Sequence, residues 1–419
     1  MIVLLIALYG LPLALCARLR GYTLAGAAFL LGAGAVALHL FVLAVVRVPW
    51  TRTSVLLSLI PVLAIAAAVA KSQSRKVAKS APHLCDFATL RLCDFLLLLP
   101  VAAYAIFALY APPYEWDFYG IWGIKGRWFF DVRGIDWTYL QTHSSHPDYP
   151  LLLPLLFDFT AVVGGGWNEL AFGWLYVALC ASFILIVRGE AGSLAALAVA
   201  FPALNPWIGL AEAPVMAFGC AGLVFLRREQ YGLGAVMLGF AAWTKNEGLA
   251  LIVAAAVALL IARRSVWKLW PALVMIAPWM IVRAVLKLPT DLADGGSLLR
   301  IWQRLLDPGA TLAALASAPP DQPWLWAVIL AIVLIFIRDA WQRERFLLVA
   351  LLLQSAALVI PLLATPFDLA GHAQFSLNRI PHQIAPAAAL LAAASLIRQG
   401  LSAPSPSAGS LPTPRPSTD

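Results

Sequence analysis

Apolar runs of roughly twenty residues recur along almost the whole chain, each closed by a short charged or Pro/Gly-containing break. Runs of that length are what a helix needs to cross a bilayer. The pattern predicts spanning helices near 2–17, 23–46, 54–70, 94–111, 169–187, 192–209, 213–226, 231–245, 247–262, 269–286, 322–337, 346–364 and 381–397. The predicted fold class is therefore an all-α polytopic membrane protein with about thirteen transmembrane helices, bounded at eleven and fourteen. The first run has no basic segment before it and is followed by Arg18 and Arg20, so it reads as a retained helix and not a cleaved leader. Residues 151–163 (LLLPLLFDFTAVV) are apolar but short and contain Pro154 and Asp158. Such a segment is expected to lie at the outer membrane surface without crossing.

Composition sharpens the class. Of 419 residues, 62% are hydrophobic and 12% charged, and the mean hydropathy is +0.85. Soluble domains carry about twice that share of charge, so a water-soluble enzyme is excluded. Three segments follow from the same pattern: 1–93 with a basic loop, a transmembrane core over 94–397, and a Pro/Ser-rich tail over 398–419 expected to be disordered and cytoplasmic. No internal repeat or second soluble domain is evident. Cys16, Cys85, Cys93, Cys180 and Cys220 are dispersed without a CxxC pair, which argues against a disulfide framework or a zinc site.

The net charge of +8 has its source in short loops and does not indicate a nucleic-acid partner. Arg18/Arg20, the stretch Lys71, Arg75, Lys76, Lys79, then Arg188, Arg227/Arg228, Arg263/Arg264/Lys268 and Arg338/Arg343/Arg345 all fall on one side of the predicted spans. The positive-inside rule makes that side cytoplasmic, with the N-terminus outside and the C-terminus inside. Segments 112–168 and 287–321, the turns near 205–212 and 244–248, and 365–380 are left outside.

Most polar residues close to the spans collect on that outer side. Asp117, Asp148, Glu212 and Glu247 come from four parts of the chain. His143, His146, Lys125, Lys245, His372, Arg379 and His382 accompany them. Ionisable groups near bilayer depth are costly and mark function. Their gathering at one surface suits a one-sided enzyme site better than a transporter site, which belongs near the midplane. In the first outer loop the aromatics Tyr119, Trp122, Phe129 and Phe130 alternate with Lys125 and Arg127, predicting a helix in the headgroup plane. Glu115 and Asp117 flank Trp116 at the end of a span, where a carboxylate can be desolvated into a general base.

The run Trp116-Asp117, Trp122, Lys125, followed by His146 to Pro154 (HPDYPLLLP), resembles the first external loop of the GT-C superfamily. More narrowly, it is similar to bacterial membrane glycosyltransferases grouped with protein O-mannosyltransferases and lipid A aminoarabinose transferases. Ala211-Glu212-Ala213-Pro214 resembles that family's A-D-x-P site, Thr244-Lys245-Asn246-Glu247-Gly248 its T-K-N-E-G turn, and Asp368 to Arg379 its D-L-x-W-H-x₃-S-x₂-R stretch. The resemblance runs from about 94 to 397. It departs where Glu212 replaces the Asp of A-D-x-P and Gly371 stands at the aromatic position.

The resemblance implies a GT-C-like fold and a polyprenyl-phosphate-linked sugar as donor, with transfer to a lipid, glycan or protein acceptor at the outer face and inversion at the anomeric carbon. It points to Asp117 as base, with Glu115 and Asp148 as further catalytic candidates. Lys125, Arg127, Lys245 and Arg379 are candidates for the donor phosphate. Trp116, Trp122, His146, Tyr149, Glu212, Asn246, Glu247 and His372 would line the sugar and acceptor pocket. Asp117, Asp148, Glu212 and His146 are hard ligands that suit a divalent cation, but no tight ligand spacing specifies one. A plain structural role competes for several of these: a snorkelling Lys245, a helix-start Glu212, hydrogen-bonded interface histidines. A flippase or transporter of lipid-linked glycans, and a non-catalytic membrane scaffold, are the alternative functions. The expected location is a bacterial plasma membrane, with membrane lipid as a partner.

Overall fold

The computed structural model describes residues 1–77, 92–204, 207–290 and 295–401, and these are helical with no strand. The first half comprises α1 (Ile2–Cys16), α2 (Gly21–Val45), α3 (Arg52–Val77), α4 (Leu92–Tyr110), α5 (Gly123–Val132), α6 (Trp137–Thr142), α7 (Leu152–Gly164), α8 (Glu169–Ala191), α9 (Ser193–Ala203) and α10 (Glu212–Arg227). The second comprises α11 (Tyr231–Thr244), α12 (Asn246–Ile261), α13 (Trp270–Leu286), α14 (Ser297–Leu306), α15 (Pro308–Ala316), α16 (Pro323–Ile335), α17 (Ile337–Arg343), α18 (Arg345–Ala364), α19 (Leu369–Ser376) and α20 (Ala385–Leu401). The basic loop beyond residue 77, with Lys79 and Cys85, the aspartates Asp291 and Asp294, and the tail from 402 lie outside the described residues.

A helix stands at each of the thirteen predicted positions, but most are shorter than a bilayer. Among the described residues four helices are long and apolar enough to cross alone: Gly21–Val45, Glu169–Ala191, Val266–Leu286 and Arg345–Ala364. The pair Pro323–Ile335 and Ile337–Arg343, bent by 74°, makes a fifth only if the two form one broken span. Helices such as Tyr231–Thr244 (14 residues) are shorter; at 1.5 Å per residue they reach only about 21 Å against a hydrocarbon core of about 30 Å. The molecule is thus an α-helical, membrane-type protein, while a count of thirteen full spans goes beyond what helix length carries. Its outer faces agree with a lipid surround. Phe95, Leu98, Leu99 and Ile106 on α4, and Leu273, Ile281 and Val285 on α13, are large apolar side chains left exposed.

Small residues set the packing. A Cβ at Gly32 of α2 would lie 1.9 Å from the Ile6 carbonyl oxygen, so α1 and α2 approach at backbone contact. A Cβ at Gly26 would lie 2.2 Å from the Ser182 carbonyl oxygen, bringing α2 equally close to α8. Helices without a hydrophobic drive between them associate through such close approaches. The N-terminal helices therefore join the rest of the bundle, with α2 seated on α7 and α8.

Two segments of the predicted outer loops pack more deeply than their sequence pattern suggests. Segment 151–163 does not lie on the surface: α7 is buried along its whole apolar length, from Leu152 to Val163, and packs on α2 and α5. Asp158 is buried with it, both carboxylate oxygens lacking a hydrogen-bond partner among the described residues. In the first loop, a π-helical turn (Phe118–Trp122) leads into α5 and points Lys125 inward, leaving Ile124 and Trp128 on the outer stripe. A second, strongly amphipathic helix is α14. Its Leu298, Leu299, Trp302, Leu305 and Leu306 face outward. Its Arg300 and Arg304 turn inward to donate to the carbonyls of Ala364, Leu362 and Leu363 at the end of α18.

Candidate functional site

Acids from separate segments of the chain converge at one end of the bundle. Glu212 opens α10, Lys245 joins α11 to α12, and Arg379 follows α19. Asp117 sits in the turn after α4 and Asp148 in the turn before α7. Gly209, at φ +95°, lets residues 113–118 lie against the start of α10; a Cβ there would sit 2.6 Å from Pro113 Cβ. The Tyr176 hydroxyl, donating to the Leu210 carbonyl at 2.6 Å, pins the same corner.

A chain of ion pairs runs through these segments. Arg379 Nη1 reaches Asp117 Oδ2 at 2.6 Å and Glu212 Oε1 at 3.3 Å. Lys245 Nζ reaches the same Glu212 oxygen at 3.1 Å and Glu247 Oε1 at 2.9 Å. Glu212 is fully buried, and its Oε2 has no hydrogen-bond partner among the described residues. Burial lowers the Lys245 and Arg379 pKa values, but carboxylate attraction outweighs it, from Glu212 and Glu247 at Lys245 and from Glu212 and Asp117 at Arg379, and raises both. The alternation matters: a carboxylate without a cation could not stay charged at this depth.

A second cluster adjoins the first. Asn246 Nδ2 donates to Asp148 Oδ2 at 3.0 Å, and Arg283 Nη2 lies 3.6 Å from that oxygen. Arg283, on α13, is a member that the sequence pattern left unplaced. Only the fold brings the end of α13 to the turn before α7. Lys125 is fully buried and donates from Nζ to the His146 carbonyl at 2.6 Å. Its ammonium stands 6.0 Å from the Trp122 and Tyr149 ring centroids. Burial pulls the Lys125 amine down to about 7, with Asp148 partly opposing. Tyr149 is stacked between Trp122 at 5.3 Å and His146 at 4.8 Å. His146 holds a left-handed backbone (φ 46°), which turns its carbonyl toward both Lys125 and the Tyr149 N–H. Gln354 of α18 donates to the Glu247 carbonyl at 3.1 Å, another member without a local signal.

Asp117, Trp122, Lys125, His146, Asp148, Tyr149, Glu212, Lys245, Asn246, Glu247 and Arg379 thus meet in adjoining networks. Four other expected members do not. Arg127 is exposed and pairs with Asp131 one turn away at 3.0 Å, apart from the other expected phosphate-binding residues. Trp116 is 65% exposed. Glu115 contributes its backbone carbonyl, which accepts the Phe118 N–H at 3.0 Å, and no contact of its carboxylate joins the network. His372 stands aside, its Nδ1 2.7 Å from Thr365 Oγ1, with its pKa lowered by burial and by Arg304 and Arg379 nearby. Among the described residues no three His, Cys, Asp or Glu side chains group as a metal site. The site carboxylates are separated by cations.

No protein-family model, curated protein or solved structure matches this chain. The site's chemistry follows from its own parts. Guanidinium and ammonium groups set between carboxylates can receive an anion. A carboxylate released from its cation can accept a proton.

Proposed function

We propose that this protein is an integral membrane glycosyltransferase of GT-C type, using a polyprenyl-phosphate sugar. In this proposal the shorter apolar helices complete about thirteen spans, the N-terminus lies outside, and the site opens at the outer face of a bacterial plasma membrane. The observation that carries it is the chain Asp117–Arg379–Glu212–Lys245–Glu247, buried at Glu212 and Lys245 and partly buried at the others, drawn from distant segments to one end of the bundle. Arg379, Lys245 and Arg283 supply the positive charge that a leaving lipid phosphate needs. Asp117 accepts the proton of the acceptor hydroxyl as its oxygen bonds to the anomeric carbon. The bond from that carbon to the phosphate oxygen breaks on the opposite face, and the polyprenyl phosphate departs with the electron pair.

The Asp117–Arg379 contact gives this scheme an order of events. While the pair is closed, Asp117 is occupied by Arg379. A donor phosphate competing for the guanidinium frees the carboxylate, so the base becomes available once donor is bound.

A transporter is less well supported, because the buried ion pairs sit at helix ends. Glu212 is in the first turn of α10, and Arg188, paired with Asp94 at 2.5 Å, is in the last turn of α8. The test compares purified wild type with Asp117→Asn, using radiolabelled polyprenyl-phosphate sugars and membrane extract. Label should move to a new species with wild type and fall by at least about a hundredfold in the variant. Equal transfer by both proteins rejects Asp117 as base. Donor carried across liposomes without transfer favours the flippase, and neither binding nor transfer favours the scaffold.

A further inference from the structure

At the far end of α10 from Glu212, roughly 24 Å along the helix, lies a cavity of about 320 Å³ lined by Arg227, Arg228, Arg264, Arg343, Arg345 and Glu344. Its single carboxylate already accepts three bonds from arginine. Arg227 grips Glu344 with two bonds of 2.6 Å, and Arg398 adds a third at 2.7 Å from behind. Glu344 therefore has little capacity left to neutralise the other four arginines.

Those four are held in place by weaker or more exposed contacts. Arg264 Nη1 makes 3.3 Å bonds to the Leu226 and Arg227 carbonyls, and Nη2 lies 3.5 Å from Glu229, which is 62% exposed. Arg228 donates to the Glu190 carbonyl, with that carboxylate at 3.7 Å. Arg343 pairs at 3.1 Å with Asp339, which Arg398 also binds. Arg345 lies over the Trp341 ring at 4.9 Å. Guanidinium N–H groups thus remain for an incoming anion.

The surroundings of the cavity identify the anion. Ala262 in its wall follows Leu260 and Ile261, which are exposed, and Val253 lies two turns earlier on the same stripe of α12 as Leu260. Trp267, Trp270 and Trp341 are exposed at the same end of the bundle, as in an interfacial aromatic belt. Clustered arginines beside an apolar, lipid-facing stripe match a molecule with an anionic head and acyl tails.

We propose that this cavity binds the phosphate headgroup of an anionic phospholipid, whose chains run along the exposed stripe of α12. The site is separate from the carboxylate network and stands whether or not the chain is a transferase.

The full-length protein, purified and delipidated in detergent, is titrated with phosphatidylglycerol, phosphatidylcholine or inorganic phosphate. Bound lipid is read by native mass spectrometry and stability by thermal melting. Phosphatidylglycerol should be retained and raise the melting midpoint, with phosphatidylcholine and phosphate doing neither. The exposed-rim variant R343Q/R345Q should lose about tenfold in phosphatidylglycerol affinity. The control K287Q, which removes a single positive charge at the other end of the bundle, should lose none. Equal retention of the two lipids, or equal effects of R343Q/R345Q and K287Q, overturns the proposal. Stabilisation by inorganic phosphate alone assigns the cavity to a soluble anion and overturns the lipid. If R343Q/R345Q does not fold, the wild-type comparison of the three ligands decides.

Discussion

Glu212 is the residue on which the network depends. It is fully buried and takes two cations on one oxygen. Glu212→Gln should destabilise the protein by about 3–5 kcal/mol, because Lys245 and Arg379 lose a shared counter-charge at depth. Arg127→Gln, which breaks an exposed pair, should change stability by no more than about 0.5 kcal/mol. Thermal melting of the two variants side by side checks both, and similar losses would contradict the assignment. Lys125 makes a pH prediction. Burial holds its amine at about 7 in the fold, whereas an unfolded lysine stays protonated to about 10.4. Between those values the unfolded chain binds more protons, so this residue's contribution to stability rises with pH through that window. Its cost is fully present below about 7 and fades toward pH 10. The difference in melting midpoint between Lys125→Met and wild type should therefore favour the variant most below pH 7 and shrink steadily up to pH 10. A difference independent of pH would show that Lys125 keeps an ordinary lysine pKa.

At the level of elements, hydrophobic run length located the longer apolar helices, since an apolar stretch must satisfy its backbone internally in lipid, while the short α6, α14, α15, α17 and α19 fall outside the runs. It did not tell how each helix is covered. Segment 151–163 is short and contains Pro154 and Asp158, which reads as a surface segment, yet α7 is buried on all sides. Periodicity cannot separate these outcomes, because a buried and a lipid-facing helix are equally apolar. The amphipathic α14 carries its own signal in SLLRIWQRLL, where Arg300 and Arg304 interrupt the apolar residues, but it is too short to register as a span. Close packing of α1 on α2 rests on Gly32, where a Cβ would stand 1.9 Å from a backbone oxygen. Gly32→Leu should force the two helices apart at a cost of about 1–3 kcal/mol or more. Leu11→Ala, at a half-buried position of α1, should cost less. Melting midpoints that rank the other way would mean the contact is not tight.

Across the whole molecule, charge is sorted to the two ends of the bundle. One end holds four acids and four bases interleaved: Asp117, Asp148, Glu212 and Glu247 with Lys125, Lys245, Arg283 and Arg379. The other end holds the arginine cavity around a single Glu344. The sequence by itself determined the membrane-type class, the positions of the longer apolar helices and the gathering of the acids at one end of them. All three follow from local hydrophobicity and from the bias of Lys and Arg to particular loops. It also nominated most of the network, because a charged residue beside an apolar span is rare enough to stand out in one dimension. Only the tertiary structure decided which of those residues meet. Arg283 and Gln354 joined because α13 and α18 end beside the site, while Arg127 and Trp116, one turn or less from true members, point away. A few residues along a helix reverse the direction of a side chain, and partners more than a hundred residues apart, such as Asp117 and Arg379, are set by packing. Local pattern therefore identified the charges, and the fold chose their partners.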